Sequence, residues 1–363
     1  MTLPGARPGR FMATDELSLS ITPAARYDTI DVTARIAAQF GDILSRHSRA
    51  LYCSLHTTAG YLEESLASRL LRRNGQLASF FRPFRTVFPE GAEYRHDQLH
   101  LRAELSDEQK AVEPKNADSH LTFIGAGMRN CATYRTDAAV PAYFIDLDGT
   151  CEGQRRTRTT TVLAYDHVEP VERLTIPVPV SRHPVDSINL SDPKGEFSEQ
   201  VKELLKKHGI ERGRVDISLE PGERNAGLTV NEYETMLMRH DLAEVLSNPL
   251  RFAAIRGAHM LRDPRAVPGK TIDYAKYDLV LLFNQLMEAF HVNESVVERL
   301  LSRLIALPAD RFLRMKRGVS FGVSSASGQP ALIRGRYQSP ILVQWQTAER
   351  QQRRVEVALH RFL

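Results

Sequence analysis

The sequence has few cysteines and no long apolar segment. Only three cysteines occur among its 363 residues, Cys53, Cys131 and Cys151, and their spacing matches no metal-binding motif. This usage is typical of a reducing compartment and argues against a disulfide-rich secreted scaffold. No stretch approaches the ~18 consecutive apolar residues of a membrane-spanning helix, and no apolar run follows Arg7 and Arg10 as a signal peptide would require. We therefore expect a cytoplasmic protein without a membrane anchor.

The chain also lacks a strong excess of charge of either sign. Lysine and arginine number 48 against 44 aspartate and glutamate residues, which gives a formal charge of +4, and the arginines are spread along the chain. This balance favours an anionic ligand only weakly and does not indicate nucleic acid as a partner. With 42% hydrophobic residues, the chain is long enough for two domains of ~150 to 200 residues each.

An internal repeat defines the predicted organisation. Asp-Thr-Ile-Asp-Val-Thr at residues 28–33 is echoed by Asp-Ser-Ile-Asn-Leu-Ser at residues 186–191, and each follows a strand-like apolar segment. An amphipathic helix and a short strand follow in both places. The turn at residues 56–60 has a counterpart 223 − 56 = 167 positions later, at residues 223–227. The predicted parts of the chain are an N-terminal extension and two similar domains: residues 1–13, 14–169 and 170–363.

Two features distinguish the second predicted domain. The segment that leads into it carries Pro170, Pro177, Pro179 and Pro184, which we interpret as a linker plus an edge strand. Further along, apolar residues recur at helical spacing from about residue 270 to 310, interrupted by a capping asparagine. This pattern predicts a helical hairpin that is inserted in the second domain and absent from the first.

Three histidines in the first domain are the strongest functional signal. His56 begins His-Thr-Thr-Ala-Gly, His96 ends Tyr-Arg-His, and His120 ends Asn-Ala-Asp-Ser-His. Three neutral imidazoles can hold Zn²⁺ with an open position, where a bound water ionises or a phosphoryl oxygen is polarised. Asn116 and Asp97 would fix the imidazole tautomers. Without a metal, the same histidines would serve as acid, base and phosphate donor, or they would be purely structural.

Neighbouring side chains indicate where a substrate would bind, each with a structural alternative. Thr57 and Thr58 would donate hydroxyls to a phosphate, or cap a helix that begins near Tyr61. Arg156 and Arg158 alternate along a predicted strand and so share one face. They would bind a substrate phosphate there, or form a solvated sheet edge that discourages strand pairing.

These motifs, in this order, resemble the YjbQ-type family, also called secondary thiamine-phosphate synthase enzymes. The matching elements are the three histidine motifs, the Asp-Gly at residues 148–149 and the basic strand at residues 155–162. The resemblance covers about residues 14 to 168. It implies that the three histidines converge on one site, in a compact α+β domain with antiparallel sheets. It also implies assembly as a homotrimer and a weak thiamine-phosphate synthase activity.

The second domain resembles the same family only in part. Residues 226–232 match the segment just after the family's first histidine, and Trp345 begins a Trp-Gln pair similar to one that lies late in the family. Glu223, however, stands where the first histidine would be. Two interpretations remain. Either Asn231 and Glu232, with Trp345, complete a composite substrate site with the first-domain histidines, or the second domain is a decayed scaffold.

The sequence therefore predicts an α+β protein of two tandem YjbQ-like domains, with antiparallel β-sheets flanked by helices. We expect an enzyme of transferase, lyase or hydrolase type that acts on a small phosphorylated or anionic metabolite at the three-histidine site. A divalent metal, zinc first, would be its cofactor. The alternative is a non-catalytic protein that binds a metal or an anion, or that serves in assembly. In either case we expect a homo-oligomer, with a trimer as the first candidate.

Overall fold

The computed structural model describes the chain from residue 13 onward, with several gaps. The predictions for residues 1–12, Glu232, Trp345 and the helical hairpin fall outside the described residues. The gaps are residues 75–76, 89, 92–93, 102–105, 138–139, 152, 183–185, 193–194, 232–316 and 345.

The N-terminal half, residues 13–167, is built on antiparallel sheets with helices between the strands. Its strands are β1 (Asp15–Ile21), β2 (Asp28–Asp31), β3 (Arg49–Ser54), β4 (Ala59–Gly60), β5 (Cys131–Arg135), β6 (Tyr143–Asp146), β7 (Thr150–Cys151), β8 (Gln154–Arg155) and β9 (Arg158–Tyr165). Its α-helices are α1 (Val32–Phe40), α2 (Glu64–Asn74), α3 (Ala78–Val87), α4 (Asp107–Val112) and α5 (Ala117–Gly125). Short 3₁₀ turns occupy Ile43–Arg46, Arg95–Asp97 and Leu99–Leu101. A four-stranded sheet has the order β1-β9-β3-β5, a three-stranded sheet has the order β2-β6-β4, and β7 pairs with β8.

The C-terminal half, from residue 168, repeats this plan with fewer described helices. Its strands are β10 (Val168–Pro179), β11 (Asp186–Asn189), β12 (Arg212–Leu219), β13 (Ala226–Asn231), β14 (Gly318–Ser324), β15 (Ala331–Ile333), β16 (Gln338–Gln344) and β17 (Gln352–Phe362), and its described helix is α6 (Glu196–Lys207). The large sheet has the order β10-β17-β12-β14-β15 and the small sheet the order β11-β16-β13. Both halves therefore combine helices with antiparallel sheets, which confirms the α+β class.

The two halves share strand order and register. In the large sheets, β10, β17, β12 and β14 take the places of β1, β9, β3 and β5. In each small sheet one residue at the end of the middle strand lies opposite the first residues of both neighbours: Asp146 opposite Asp28 and Ala59, and Gln344 opposite Asp186 and Ala226. Because a shift of one residue would turn every side chain to the other face, this agreement places equivalent residues in equivalent environments.

The first helices of the two halves form where their apolar spacing predicts. Asp31 caps α1 by accepting a hydrogen bond from the backbone N–H of Ala34 at 2.8 Å. Val32 and Ile36 form the buried face of this helix. The helix ends at Gly41, whose φ of +71° is costly for residues with a side chain. In the other half, Phe197, Val201 and Leu205 form the buried stripe of α6.

Two sequence predictions need correction. The proline-rich segment contains the predicted edge strand, but residues 168–179 all belong to β10, so this stretch is not a linker. The first half also has a long connection of its own, because α2 to α5 lie between β4 and β5. The corresponding connection in the second half joins β13 to β14 and contains residues 232–316. A long connection thus lies at the same topological position in both halves.

The halves pack through a junction cluster of apolar side chains. Tyr165 and Phe362 stack across it with ring centroids 3.8 Å apart, and Cys53 is buried as predicted for a small hydrophobe. Polar contacts reinforce the junction, since Asn130 donates to the carbonyl of Ser320 at 3.0 Å. The junction cluster consists of Leu51, Cys53, Cys131, Leu163, Tyr165, Ile333 and Phe362.

No helix in the described part of the chain is long and apolar enough to cross a membrane.

Candidate functional site

His56 lies in a frame of buried polar groups at the edge of the two N-terminal sheets. Arg158, the first residue of β9, donates from Nε to Asp146 Oδ2 at 2.6 Å and from Nη2 to Asp146 Oδ1 at 3.0 Å. The same guanidinium donates to the carbonyl of Asp148. The backbone N–H of Thr159 donates to His56 Nε2 at 2.7 Å. His56 and Arg158 are thus fixed by bonds within the protein, and the Arg158 fork is occupied by a carboxylate.

The protonation state of His56 follows from this environment. Burial, with the nearby charges of Arg158 and Arg156, lowers the pKa of His56 from 6.5 to about 3. The imidazole is therefore neutral at physiological pH. Because Nε2 accepts the Thr159 hydrogen bond, the single ring proton resides on Nδ1.

The C-terminal half contains the same frame with different side chains. Arg353 donates from Nη1 to Glu223 Oε2 at 2.9 Å, from Nε to Gln344 Oε1 at 3.4 Å and from Nη2 to the carbonyl of Gln346 at 2.6 Å. The backbone N–H of Arg354 donates to Glu223 Oε1 at 2.8 Å. Glu223 thus takes the place of His56, as its position in the sequence predicts, and the place of Asp146 is taken by an amide.

His96 and His120 form a buried pair with a carboxylate beside it. Their ring centroids are 5.3 Å apart, and they are 3% and 2% exposed. His96 Nδ1 and Asp97 Oδ1 are 2.8 Å apart, and the same oxygen accepts from the backbone N–H of Ala117 at 3.1 Å. Asp97 therefore orients His96 and favours the tautomer that carries its basic lone pair on Nε2. A carboxylate-oriented imidazole next to a second imidazole is suited to proton transfer.

Asp148 connects Asn116 and Arg156, two of the predicted site residues. Asn116 donates from Nδ2 to Asp148 Oδ2 at 2.6 Å, and Arg156 Nη2 lies 3.1 Å from the same oxygen. Burial raises the pKa of Asp148, while Arg156 and the Asn116 hydrogen bond oppose this rise. Among the described residues, none donates to Asn116 Oδ1 or accepts from Arg156 Nε, although both atoms are buried. Such atoms ordinarily have a water or ligand partner.

A second set of side chains extends from Asp148 toward the surface. Arg26 Nη1 lies 3.9 Å from Asp148 Oδ1, and its Nη2 donates to Asp118 Oδ1 at 2.8 Å. Tyr27 donates to Asp118 Oδ2 at 2.7 Å, and burial together with Asp118 raises the pKa of Tyr27 to about 12. The exposed guanidinium of Arg85 lies 3.7 Å from the centre of the Tyr27 ring. The positively charged side chains of Arg26 and Arg85 thus lie between Asp148 and the solvent.

The sequence did not single out Arg26, Tyr27, Asp118 or Asp148 as site residues. Asp118 occupies a variable position inside the Asn-Ala-Asp-Ser-His motif, and Asp148 belongs to the Asp-Gly pair, so the motifs contained a signal for both. Arg26 and Tyr27 lie 92 and 91 positions from Asp118 and had no local signal.

Thr57 and Thr58 do not cap a helix near Tyr61. The following residues instead pair in β4 with β6, and Tyr61 forms an isolated bridge with Arg129, so the next helix begins only at Glu64. Thr58 is buried and its carbonyl accepts from the backbone N–H of Leu147 at 3.0 Å. The capping interpretation was wrong because strand pairing competes successfully for this segment. Phosphate binding by Thr57 and Thr58 stays a prediction.

The remaining predicted residues are only partly placed. Asn231 is the last residue of β13 and lies opposite Gln338 in β16. Glu232 is outside the described residues. Arg156 precedes β9 while Arg158 begins it, and their guanidinium groups bind different aspartates. The two arginines therefore act separately, and only Arg156 retains a buried donor without a described acceptor.

The described residues do not fit a three-histidine metal centre. They contain no group of three or more histidine, cysteine, aspartate or glutamate side chains that could hold one metal ion. His96 and His120 are adjacent, but His56 commits Nε2 to a backbone N–H and has two arginines in its electrostatic surroundings. A cation at His56 would experience repulsion from both guanidinium groups.

Comparisons with known proteins give only distant likenesses. No protein-family model matches the chain, and no curated protein matches it. Among solved structures, the chain is similar to a YbjQ-like protein of unknown function from Sulfolobus solfataricus, with 16% identity over 54% of this chain and 99% of that one, at a TM-score of 0.30. It is also similar to an uncharacterized conserved protein of the YjbQ family from Clostridium acetobutylicum, with 14% identity over 51% and 98% of the two chains and a TM-score of 0.25. At these scores, neither likeness carries weight for the site or its function.

Proposed function

We propose that the N-terminal half is an enzyme that binds a small anionic metabolite, of which a phosphorylated compound is the first candidate, and transfers protons at His96 and His120. The observation that carries this proposal is the buried Asp97–His96 pair beside His120. Desolvated, oriented imidazoles of this kind are costly to bury without use. Transferase, lyase and hydrolase chemistry all require such proton transfers.

Each residue has a distinct role in the proposed reaction. Arg156 and Arg26, which have buried Nε donors without described acceptors, bind the anion. Asn116 orients it through Oδ1. Asp97 holds the His96 proton on Nδ1, so that Nε2 accepts a proton from the substrate, and His120 exchanges the second proton. His56 is neutral and engaged with Thr159, so its proposed role is to hold the frame.

A zinc-assisted version of this reaction is the second form of the proposal. His96 and His120 supply two imidazoles for such an ion, which would contribute Lewis-acid polarisation when bound. Metal content of the purified protein tests it. Stoichiometric zinc that is lost in a His120→Ala variant supports the metal, and equal, negligible zinc in both proteins contradicts it.

We infer further that the chain is a tandem duplication of one domain, with a second half that lost the histidine site. The common strand order, the matched register of the small sheets and the two arginine frames support this inference. From the resemblance to YjbQ-type proteins we also propose a weak thiamine-phosphate synthase activity and a homotrimer. Both can be tested in solution.

The first experiment measures binding of inorganic phosphate and pyrophosphate to the full chain by calorimetry. Wild-type protein should bind one of them, and His96→Gln, His120→Gln and Arg156→Gln should weaken binding about tenfold or more. The matched control is His100→Gln, because His100 is an exposed histidine in the next 3₁₀ turn. Equal affinity in all variants would contradict the site. Binding without turnover of any phosphorylated metabolite would favour a non-catalytic anion-binding protein.

A further inference from the structure

Gln338 of the C-terminal half contacts the segment that carries His56. It is the first residue of β16 and is completely buried. Its Nε2 donates to the carbonyl of Ser54 at 3.1 Å and to the carbonyl of His56 at 2.8 Å. Its Oε1 accepts from the backbone N–H of Gly335 at 2.9 Å. One amide therefore connects the turn before β16 to the end of β3.

The same turn lies directly against the backbone between these two carbonyls. A Cβ added to Gly335 would lie 1.8 Å from the carbonyl oxygen of Leu55, closer than any side chain permits. Gly335 thus allows an approach that no other residue would allow. Three consecutive carbonyls, those of residues 54, 55 and 56, face the turn of the other half.

These contacts act on the backbone that orients the His56 ring. On one side, the ring accepts from the N–H of Thr159 in β9. On the other side, the His56 carbonyl accepts from Gln338. The residue is therefore held at its side chain by its own half and at its main chain by the other half.

We infer that Gln338 is a positioning residue, through which the C-terminal half holds His56 and the adjoining turn in the arrangement that the N-terminal site requires. This inference rests on the proposed function only for the ligand, because the position of His56 can be measured without one. The C-terminal half is then neither a mere scaffold nor a donor of catalytic groups.

The chain provides a matched control for this role. Gln344 lies at the other end of β16 and is equally buried, but it bonds the carbonyl of Ser181 and the guanidinium of Arg353, both in its own half. Gln338→Met and Gln344→Met remove the same amide from the same strand. Their thermal midpoints should fall by similar amounts, since each leaves buried backbone or side-chain partners unsatisfied.

Two readouts separate positioning from stability. Hydrogen exchange of the Thr159 amide, measured by NMR, should accelerate about tenfold or more in Gln338→Met relative to Gln344→Met. The imidazole signals of His56 should shift only in the first variant. Affinity for inorganic phosphate should also fall more in Gln338→Met than in the control. If Gln338→Met does not fold, Gln338→Glu replaces it in these measurements. The glutamate keeps an oxygen that accepts from the N–H of Gly335 and loses the amide N–H groups that donate to the carbonyls of Ser54 and His56.

Unchanged Thr159 exchange and unchanged His56 signals in a folded Gln338 variant would overturn the inference. Equal changes in the Gln344 control would overturn it as well, because the effect would then be general destabilisation. If wild-type protein binds no phosphate, the proposed ligand class fails, while the NMR result still decides the role of Gln338.

Discussion

The two halves of the chain hold a buried arginine in the same way but place its negative partner differently. In the N-terminal half, Arg158 pairs with Asp146 from the small sheet, and a neutral His56 lies alongside. In the C-terminal half, Arg353 pairs with Glu223, the counterpart of His56, and the small sheet supplies the neutral Gln344. Each frame contains one carboxylate for one guanidinium, as the high cost of an unpaired buried charge requires.

This comparison changes the interpretation of His56. A carboxylate in the other half accepts the same backbone hydrogen bond, so this position serves the frame whether or not histidine chemistry is present. The residues with no described counterpart in the C-terminal half are His96, His120 and Asn116, all carried by the connection between β4 and β5. The proposed proton transfer therefore depends on residues of this connection, and the two sheets support it.

The largest expected effect comes from breaking one frame. Asp146→Gln leaves Arg158 without its carboxylate and should lower the free energy of unfolding by about 3 to 5 kcal/mol. Adding His56→Glu copies the C-terminal arrangement and should restore about 2 kcal/mol or more. Urea unfolding of the wild type, both single variants and the double variant measures this coupling. Additive effects would show that the two frames are not equivalent.

Gly335→Ala tests how tightly the halves are joined. The added methyl group would collide with the Leu55 carbonyl, and the rearrangement should cost about 3 kcal/mol. Gly222→Ala is the control, because its Cβ would meet nothing within 4 Å. Thermal unfolding should show a large loss in the first variant and little change in the second. Similar midpoints would mean that the halves separate easily at this turn.

The low pKa of His56 predicts a pH dependence of stability for the N-terminal frame. As pH falls below ~6.5 the unfolded chain binds a proton at His56, whereas the folded chain does not until about pH 3. Stability should therefore decrease on acidification in this window, by at most about 2 kcal/mol between pH 6.5 and 5. His56→Gln removes this contribution. Its stability difference from the wild type, measured by urea unfolding, should change between the two pH values, and a constant difference would contradict the low pKa of His56.

The smallest expected effect concerns the first helices. α1 has a side-chain cap at Asp31, whereas α6 begins at Gly195 without one. Asp31→Ala should lower the free energy of unfolding by about 1 kcal/mol. Asp42→Ala is the control, because its side chain forms an ion pair with the exposed Arg46 and makes no capping hydrogen bond to a described residue. Equal losses in denaturant unfolding would argue against a specific capping contribution.

The repeated plan could be predicted because its signals are local. Apolar spacing located α1 and α6, and the echo of residues 28–33 at 186–191 coincides with β2 and β11 and the residues after them. The pairing of His96 with Asp97 was also predictable, since the two residues are adjacent. The role of Thr58 was not, because strand pairing with a segment almost ninety residues away decides its conformation.

The contacts between distant residues could not be read from sequence. Tyr27 and Asp118 are 91 positions apart, and Gln338 and His56 are 282 apart. The two residues of each pair come into contact only after the sheets have formed, and no periodic pattern in the sequence predicts either contact. The carboxylate of the frame is Asp146 in the first half, whereas in the second half it is Glu223 and Gln344 takes the place of Asp146. This difference could be recognised only once the register of β16 was known.

The prolines of β10 disfavour strand pairing between copies of this protein. β10 is an edge strand, and Pro170, Pro177 and Pro179 remove three of its backbone donors. A neighbouring strand that approached this edge would find carbonyl groups without the N–H groups needed to complete a ladder. The sheet of the C-terminal half is therefore protected on this side against continuous intermolecular β-sheet and the aggregation that follows from it.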